Sequence, residues 1–299
     1  MITNHQITKT ALFVLVSLTS LVQAADEPLV VSHRARVILD PENHEVTVHD
    51  TLYSSAPLDT IQLGYNFEFL LTEYIVAGQP AGRAPYETDG GAELDLEQDG
   101  YNEFDVHTLF GTNSAEAYVL HYRGRLHEPV DEVTFSRENV GGEIEATIGD
   151  EGIYLSARSR WLPTVPGAMA THHLIVNTPL GIEPITQGVK VSQEETGNRL
   201  VTVWHAKHPS DGLNLIAGRY HISEDLAGET AIYTYLLDED QRLSDLYLER
   251  TKVYLAMYEE MLGPYPYGKF ATVENWFPTG YGMPSYTLLG GVVMRLPFI

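Results

Sequence analysis

Apolar and polar residues alternate in short runs from Val30 to about His221, which predicts a β-rich fold. The alternation in His33–Leu39 places every second residue on one face, and Val46, Val48 and Leu52 share a face on the following run. The intervening turn, Asp40–Asn43, makes this pair a hairpin. Further predicted strands lie at Ile61–Phe67, Tyr118–Tyr122, His173–Val176 and Leu200–Trp204. Short strands separated by glycine and proline favour an antiparallel β-sandwich.

The spacing of the apolar residues changes after Gly228. A short strand at Ala231–Leu236 precedes three acids, and apolar residues then recur at helical spacing over Leu243–Met261. Acids at the start suit the positive end of the helix dipole, and Gly263–Pro264 ends the helix because proline cannot continue it. The pattern predicts two domains: a sandwich over residues 25–225, and a lobe of one helix and several strands over residues 226–299.

The first residues have the pattern of a secretory signal peptide. Lys9 supplies a positive charge, Ala11–Val22 is an apolar core, and Val22-Gln23-Ala24 offers small residues at the cleavage positions. The apolar run is short for a membrane span, and no other segment reaches that length. We therefore predict that residues 1–24 are removed and that the mature protein is exported, to the periplasm or beyond the cell, without a membrane span.

Composition excludes several classes of partner and site. Acidic residues outnumber basic ones 41 to 18, for a formal charge of -23, so nucleic acid and anionic lipid would be repelled. The chain has no cysteine, which excludes disulfides and thiolate metal sites. Any metal ligand must be histidine, aspartate or glutamate. The sequence gives no indication of the oligomeric state.

Candidate metal sites within the chain are weak. His172 and His173 are neighbours on a strand and point to opposite faces, so they do not share an ion. His205 and His208 lack an obvious third ligand. The stretch Asp95–Gly100 is similar to the start of a calcium loop, but a valine stands where that loop needs its bidentate glutamate. Neither a Gly-x-Ser-x-Gly elbow nor a phosphate-binding glycine motif occurs.

Five segments, in their usual order, resemble the aminopeptidase N family of zinc metallopeptidases. The most specific are the sequence GPYPYGKF and the glycine-rich loop with Met283. The matching segments are His33–Leu52, Gly152–Leu155 with Trp161–Pro163, Leu213–Tyr220, Tyr254–Phe270 and Gly280–Ser285. The resemblance implies a β-sandwich followed by the start of a thermolysin-like catalytic domain.

The resemblance also implies peptide hydrolysis by a zinc-bound water, held by an HExxH motif. This chain has no such motif; His127-Glu128 begins one, but position 131 is aspartate. The apolar run Leu288–Ile299 ends the chain without a polar cap. We interpret the chain as the N-terminal part of a longer peptidase, inactive alone, with zinc bound only in the full-length parent. We expect the apolar residues of this run to lack the helices that would cover them.

The substrate-binding residues implied by the resemblance are Gly280, Tyr281, Gly282, Met283 and Tyr286. The alternative is a glycine-rich turn before a buried strand, with both tyrosines in packing roles.

The family carries Glu-Asn in this loop, where Pro284-Ser285 stands here. A second family contact to the peptide amine corresponds to Leu155–Arg160, which has two arginines and no carboxylate. We therefore expect recognition of a free amino terminus to be lost.

A different class of function remains open. The alternative to a peptidase fragment is a secreted β-sandwich binding module without catalysis. The reading frame beyond Ile299 distinguishes the two, because only the peptidase requires an HExxH motif there.

Overall fold

The structure, a computed structural model, describes residues 28–56, 58, 60–64, 70–76, 79–80, 87–88, 106–110, 117–130 and 144–295. The predicted signal peptide, the Asp95–Gly100 stretch and Asp131 lie outside these residues. The strands up to residue 155 are β1 (Val30–Asp40), β2 (Glu45–Ser54), β3 (Thr60–Gly64), β4 (Leu70–Val76), β5 (Gln79–Pro80), β6 (Glu87–Thr88), β7 (Val106–Phe110), β8 (Ala117–Arg125), β9 (Ala146–Ile148) and β10 (Ile153–Leu155).

The remaining elements include the helix predicted from the apolar spacing. They are β11 (Met169–Pro179), β12 (Glu183–Thr186), β13 (Val189–Thr196), β14 (Arg199–Ser210), β15 (Leu215–Gly218), β16 (His221–Ala227), β17 (Thr230–Leu236), α1 (Ser244–Leu262), β18 (Lys269–Asn275), β19 (Gly280–Met283), β20 (Tyr286–Gly290) and α2 (Gly291–Met294). Short 3-10 helices lie at Ala157–Ser159 and Gln241–Leu243. No helix of the described residues is both long and apolar enough to cross a bilayer.

The predicted β-sandwich is built on an eight-stranded sheet in the order β13-β14-β11-β1-β2-β8-β4-β5. Buried and more exposed residues alternate along β1 and β2, and Asp40 lies opposite Glu45 across their turn, which confirms the predicted hairpin. One pair departs from the antiparallel expectation, because β1 and β11 run parallel. Two smaller sheets, β12-β15-β10-β9 and β3-β7-β6, complete this part of the chain, and the mainly-β fold class is confirmed.

The second part is a five-stranded sheet in the order β16-β17-β18-β20-β19. Strands β17, β18 and β20 are parallel, and α1 forms the crossover between β17 and β18. The helix ends at Gly263, whose φ of 96° places it in the left-handed region that glycine tolerates. The sheet begins at His221, a few residues before the predicted boundary.

The core is continuous between the two parts. Tyr235, Val273 and Leu288 of the five-stranded sheet belong to the same apolar cluster as the sandwich residues. Leu288 is 0 % exposed, so the expectation that the C-terminal apolar run lacks cover is wrong for this residue. Val292 is 47 % exposed and fits that expectation. The sandwich supplies apolar surface for Leu288, where we expected cover only from further helices.

Candidate peptide-binding site

Strand β19 forms one edge of the five-stranded sheet, and the backbone N–H and C=O groups that point away from the sheet belong to two glycines. It pairs with β20 only, with Met283 opposite Tyr286 across a two-residue turn. The N–H of Gly290 donates to the carbonyl of Thr279 at 2.9 Å, which fixes the alternation of bonded positions. Hydrogen-bonded positions alternate in an antiparallel pair, so Thr279, Tyr281 and Met283 bond to β20. The N–H and C=O groups of Gly280 and Gly282 therefore face the free edge.

Both glycines are open to solvent, and Gly282 is uncovered in the side-chain direction. Both are exposed, and a Cβ added to Gly282 would meet no atom within 4 Å. Tyr281 and Met283 are half-buried and pack against the core. The predicted contact Tyr286 is 1 % exposed, so its ring lies in the core and out of reach of a ligand. Of the five predicted residues, the structure therefore brings four together on one accessible edge strand.

The sandwich provides a wall beside this edge. Asn214 donates from Nδ2 to the Met283 sulfur at 3.3 Å and accepts from the backbone N–H of Ala157 at 2.9 Å. Tyr154 of β10 packs edge-on against Phe277, with ring centroids 5.3 Å apart. The Asn214 contacts join β19 to the 3-10 helix at Ala157–Ser159, and the ring contact joins β10 to the segment before β19. The sandwich therefore lies beside β19, and we call the space between the free edge of this strand and the neighbouring part of the sandwich the groove.

A carboxylate that sequence reasoning missed lies at this wall. Ser156 donates from its hydroxyl to Glu145 Oε2 at 2.5 Å, and Arg158 Nε lies 3.2 Å from Glu145 Oε1. Burial raises the pKa of Glu145, opposed by the Ser156 hydrogen bond and by Arg158. The pKa of Tyr281 is raised by burial first and then by the negative charge of Glu145, which places this carboxylate near the edge strand.

The stretch Leu155–Arg160 itself has no carboxylate, but the fold brings Glu145 next to it. Glu145 is separated from Leu155–Arg160 in sequence, and no spacing rule connects the two.

The histidine groups behave as strand alternation predicts. His172 is buried and its ring stacks on His33 at 5.1 Å, whereas His173 faces His205 at 4.3 Å on the other side of the sheet. His208 instead packs against Tyr267. Across the described residues, no group of three or more histidine, aspartate or glutamate side chains could hold a metal ion. The residues described here therefore do not fit a zinc site.

Comparison with known proteins finds structures that are similar to this chain in fold but not in sequence. The sequence matches no protein-family model, and no curated protein matches it. A solved M1 zinc metallopeptidase mutant from Deinococcus radiodurans, bound to a Tyr-Ser-Ala substrate, is 14 % identical with a TM-score of 0.57. That match covers 90 % of this chain and 61 % of the other.

Two further structures agree with this likeness. The M1 zinc metallopeptidase structure from Deinococcus radiodurans without a named ligand is 15 % identical, with a TM-score of 0.53, over 88 % of this chain and 59 % of that one. Aminopeptidase A of Legionella pneumophila, in complex with aspartic acid, is 13 % identical with a TM-score of 0.61.

The Legionella match covers 87 % of this chain and 30 % of the other. The chain thus spans less than two thirds of the length of these proteins. At such identities the likeness establishes the fold alone: this chain is folded like part of these M1 zinc metallopeptidases.

Proposed function

We propose that this chain is the N-terminal, substrate-side part of an exported, aminopeptidase N-like zinc peptidase, and that a peptide binds along β19. The observation that carries the proposal is the free edge strand whose outward N–H and C=O groups belong to Gly280 and Gly282. An extended peptide can add to such an edge as a further strand. The shared fold supports the proposal, and the pattern of residues 1–24 supports export.

The proposal assigns zinc chemistry to the full-length parent. Because the described residues hold no zinc-ligand set, no catalytic step is assigned to them, and we expect the chain alone to be inactive. The reading frame beyond Ile299 tests this part. A downstream HExxH motif supports the peptidase, whereas a stop codon directly after Ile299 supports the non-catalytic binding module.

Substitution of Gly282 by proline tests the edge strand. Proline removes the N–H that faces the free edge, and an edge strand tolerates it because no ladder bond is lost. One hydrogen bond is worth about 0.5–1.5 kcal/mol, so Gly282→Pro should weaken binding of a Tyr-Ser-Ala peptide by about three- to tenfold. Peptide-induced shifts of backbone amide NMR signals give the affinity and show which amides respond.

The matched control is Gly282→Ala, which keeps the N–H and adds a methyl group in open space. We expect its affinity to match that of the original chain. Equal affinities for the proline and alanine variants, or peptide-induced shifts that avoid Gly280 and Gly282, would contradict binding at β19.

Glu145 gives the groove a means of recognising a free amino terminus. Its side chain is 12 % exposed, and its partner Arg158 is 54 % exposed, so that ion pair is partly open to solvent. A peptide ammonium can approach the carboxylate without leaving a deeply buried arginine unpaired. We propose Glu145 as the partner of the peptide amine, in place of the loss of amine recognition expected from Leu155–Arg160.

The amine preference should depend on Glu145. We expect Tyr-Ser-Ala to bind about tenfold more tightly than its N-acetylated form, the lower end of the range for a charge-assisted hydrogen bond. Glu145→Gln should remove most of this preference and leave binding of the acetylated peptide unchanged. Titration of both peptides against both proteins provides the measurement. A preference that survives in Glu145→Gln would exclude this role.

A further inference from the structure

A buried lysine reaches the turn that follows the edge strand. Lys269, at the start of β18, is 3 % exposed. Its Nζ donates to Ser285 Oγ at 2.8 Å, to the Thr186 carbonyl at 3.0 Å and to the Ser285 carbonyl at 3.4 Å. An ammonium group has three N–H donors, and these three acceptors use them all. The aromatic rings of Trp204 and Tyr286 lie 5.7 and 5.3 Å from Nζ.

The acceptors belong to different parts of the fold. Thr186 ends β12 in the sandwich, whereas Ser285 lies in the turn between β19 and β20. The backbone N–H of Gly188, just after β12, also donates to Ser285 Oγ at 3.1 Å. Ser285 has a φ of 73°, a conformation that side-chain-bearing residues adopt at a cost unless their surroundings hold them. The lysine and the Gly188 N–H therefore hold this turn against the sandwich.

A serine hydroxyl next to a lysine amine can also act as a catalytic nucleophile with its general base. Burial excludes that role here. Ser285 is 1 % exposed and Lys269 is 3 % exposed, so a substrate carbonyl cannot reach the hydroxyl. The pair acts within the protein.

We propose that Lys269 is a positioning residue that fixes the β19–β20 hairpin against the end of β12 and so sets the width of the peptide-binding groove. The expected effect on peptide binding rests on the proposed function, whereas the contacts of Lys269 are independent of it. Met283, at the other side of the same turn, is held by Asn214. The hairpin is therefore attached to the sandwich on both sides of Pro284.

The charge state of Lys269 is set by its surroundings. Burial lowers the pKa of Lys269 from 10.5 to about 7. Within the described residues, Lys269 has no carboxylate in salt-bridge contact. The titratable side chain facing it is Tyr286 on β20, whose pKa burial raises; β12 and β14 present Thr186 and Trp204, and Tyr265 bonds to the Lys269 carbonyl.

Two variants test the positioning role through amide hydrogen exchange of the full chain. Lys269→Met keeps the apolar stem and removes Nζ, and Ser285→Ala removes the hydroxyl. At about pH 6, where the folded chain keeps the Lys269 proton, each should lower protection of residues 280–290 by about tenfold or more, the effect of losing a hydrogen bond to a charged group, while β1 and β2 keep theirs. The double variant should lose less than the sum of the two single losses, because both changes remove the contact between Lys269 Nζ and Ser285 Oγ. Lys252→Met, a surface control on α1, should leave the hairpin unchanged.

A pH series separates positioning from general packing. Opening the hairpin would return the amine to water and to its ordinary pKa, so the open state binds a proton more readily above about pH 7. Hairpin protection, corrected for intrinsic exchange, should therefore rise from about pH 7 to pH 9 in the original chain and stay flat in Lys269→Met. Uniform loss of protection across the protein, or the same pH profile in both chains, would overturn the inference.

Peptide binding separates this inference from the proposed function. If Tyr-Ser-Ala binds at β19, Lys269→Met should weaken it about fivefold or more, as expected for a loosened groove. Unchanged affinity and hairpin protection in this variant would refute positioning and leave the proposed function intact. Failure of the original chain to bind would refute the proposed function, and the exchange data would still decide the role of Lys269.

Discussion

Replacement of Gly188 by alanine is expected to destabilise the protein by about 3 kcal/mol or more. A Cβ at this position would lie 2.0 Å from the carbonyl oxygen of His205 and 2.6 Å from the Cα of Ala206, both backbone atoms that cannot rotate away. Its φ of 80° adds the strain of a left-handed conformation. The clash would also displace the Gly188 N–H, which donates a hydrogen bond to Ser285 Oγ. The free energy of unfolding in urea at pH 7 measures the loss.

Gly197→Ala is the matched control, because it shares the left-handed backbone without the clash. Gly197 has a φ of 63°, and a Cβ there would meet nothing within 4 Å. We expect a loss of about 1 kcal/mol, the strain contribution alone. Equal losses for the two variants would show that the backbone near Gly188 moves aside at little cost, and that the close approach of the turn after β12 to β14 is not required.

Stability is expected to rise by about 2–3 kcal/mol between roughly pH 7.5 and 9.5. Burial lowers the pKa of Lys269 from 10.5 to about 7. In this range the unfolded chain keeps the proton and the folded chain has released it. The unfolded state therefore binds more protons, and its free energy relative to the folded state rises with pH. Urea unfolding at a series of pH values measures the slope.

The other groups with shifted pKa values affect the stability outside this pH range. Burial raises the pKa of Glu274 from 4.5 to about 7, with further contributions from Asp240, so its effect ends near neutral pH. The pKa of the buried Tyr286 is raised above its ordinary value of 10, so that group contributes only in stronger alkali. Lys269→Met should therefore remove the slope. A slope of the same size in that variant would show that another group causes it.

The periodic parts of the fold were predictable from the sequence. The β1–β2 hairpin follows from strict alternation around a turn, and α1 follows from helical spacing ended by Gly263. Strand alternation also placed His172 and His173 on opposite faces. These features depend on residues that are close together in the sequence, and a residue pattern records that local information. The glycine-rich edge strand was predicted only through the resemblance to a family, and its place in a groove stays a proposal.

The contacts between distant segments were not predictable. Glu145 reaches Ser156 and Arg158 because β9 pairs with β10, and no residue pattern marks that pairing. The burial of Leu288 depends on the sandwich packing against the five-stranded sheet, whereas its sequence shows only an apolar run. Lys269 shows the limit most clearly. A single lysine directly after Gly268 suggests a solvated charge. Only the fold shows that its amine is surrounded by acceptors from β12 and from the β19–β20 hairpin.

The most direct test of the central claim is a crystal structure of this chain with bound Tyr-Ser-Ala peptide. The proposal predicts an extended peptide beside β19, with its backbone oxygens and nitrogens at hydrogen-bonding distance, about 2.8–3.2 Å, from the N–H and C=O groups of Gly280 and Gly282. Its amino terminus should lie towards Glu145. A peptide paired instead with β16 at the opposite edge of the sheet, or bound away from both edges, would contradict the proposed function.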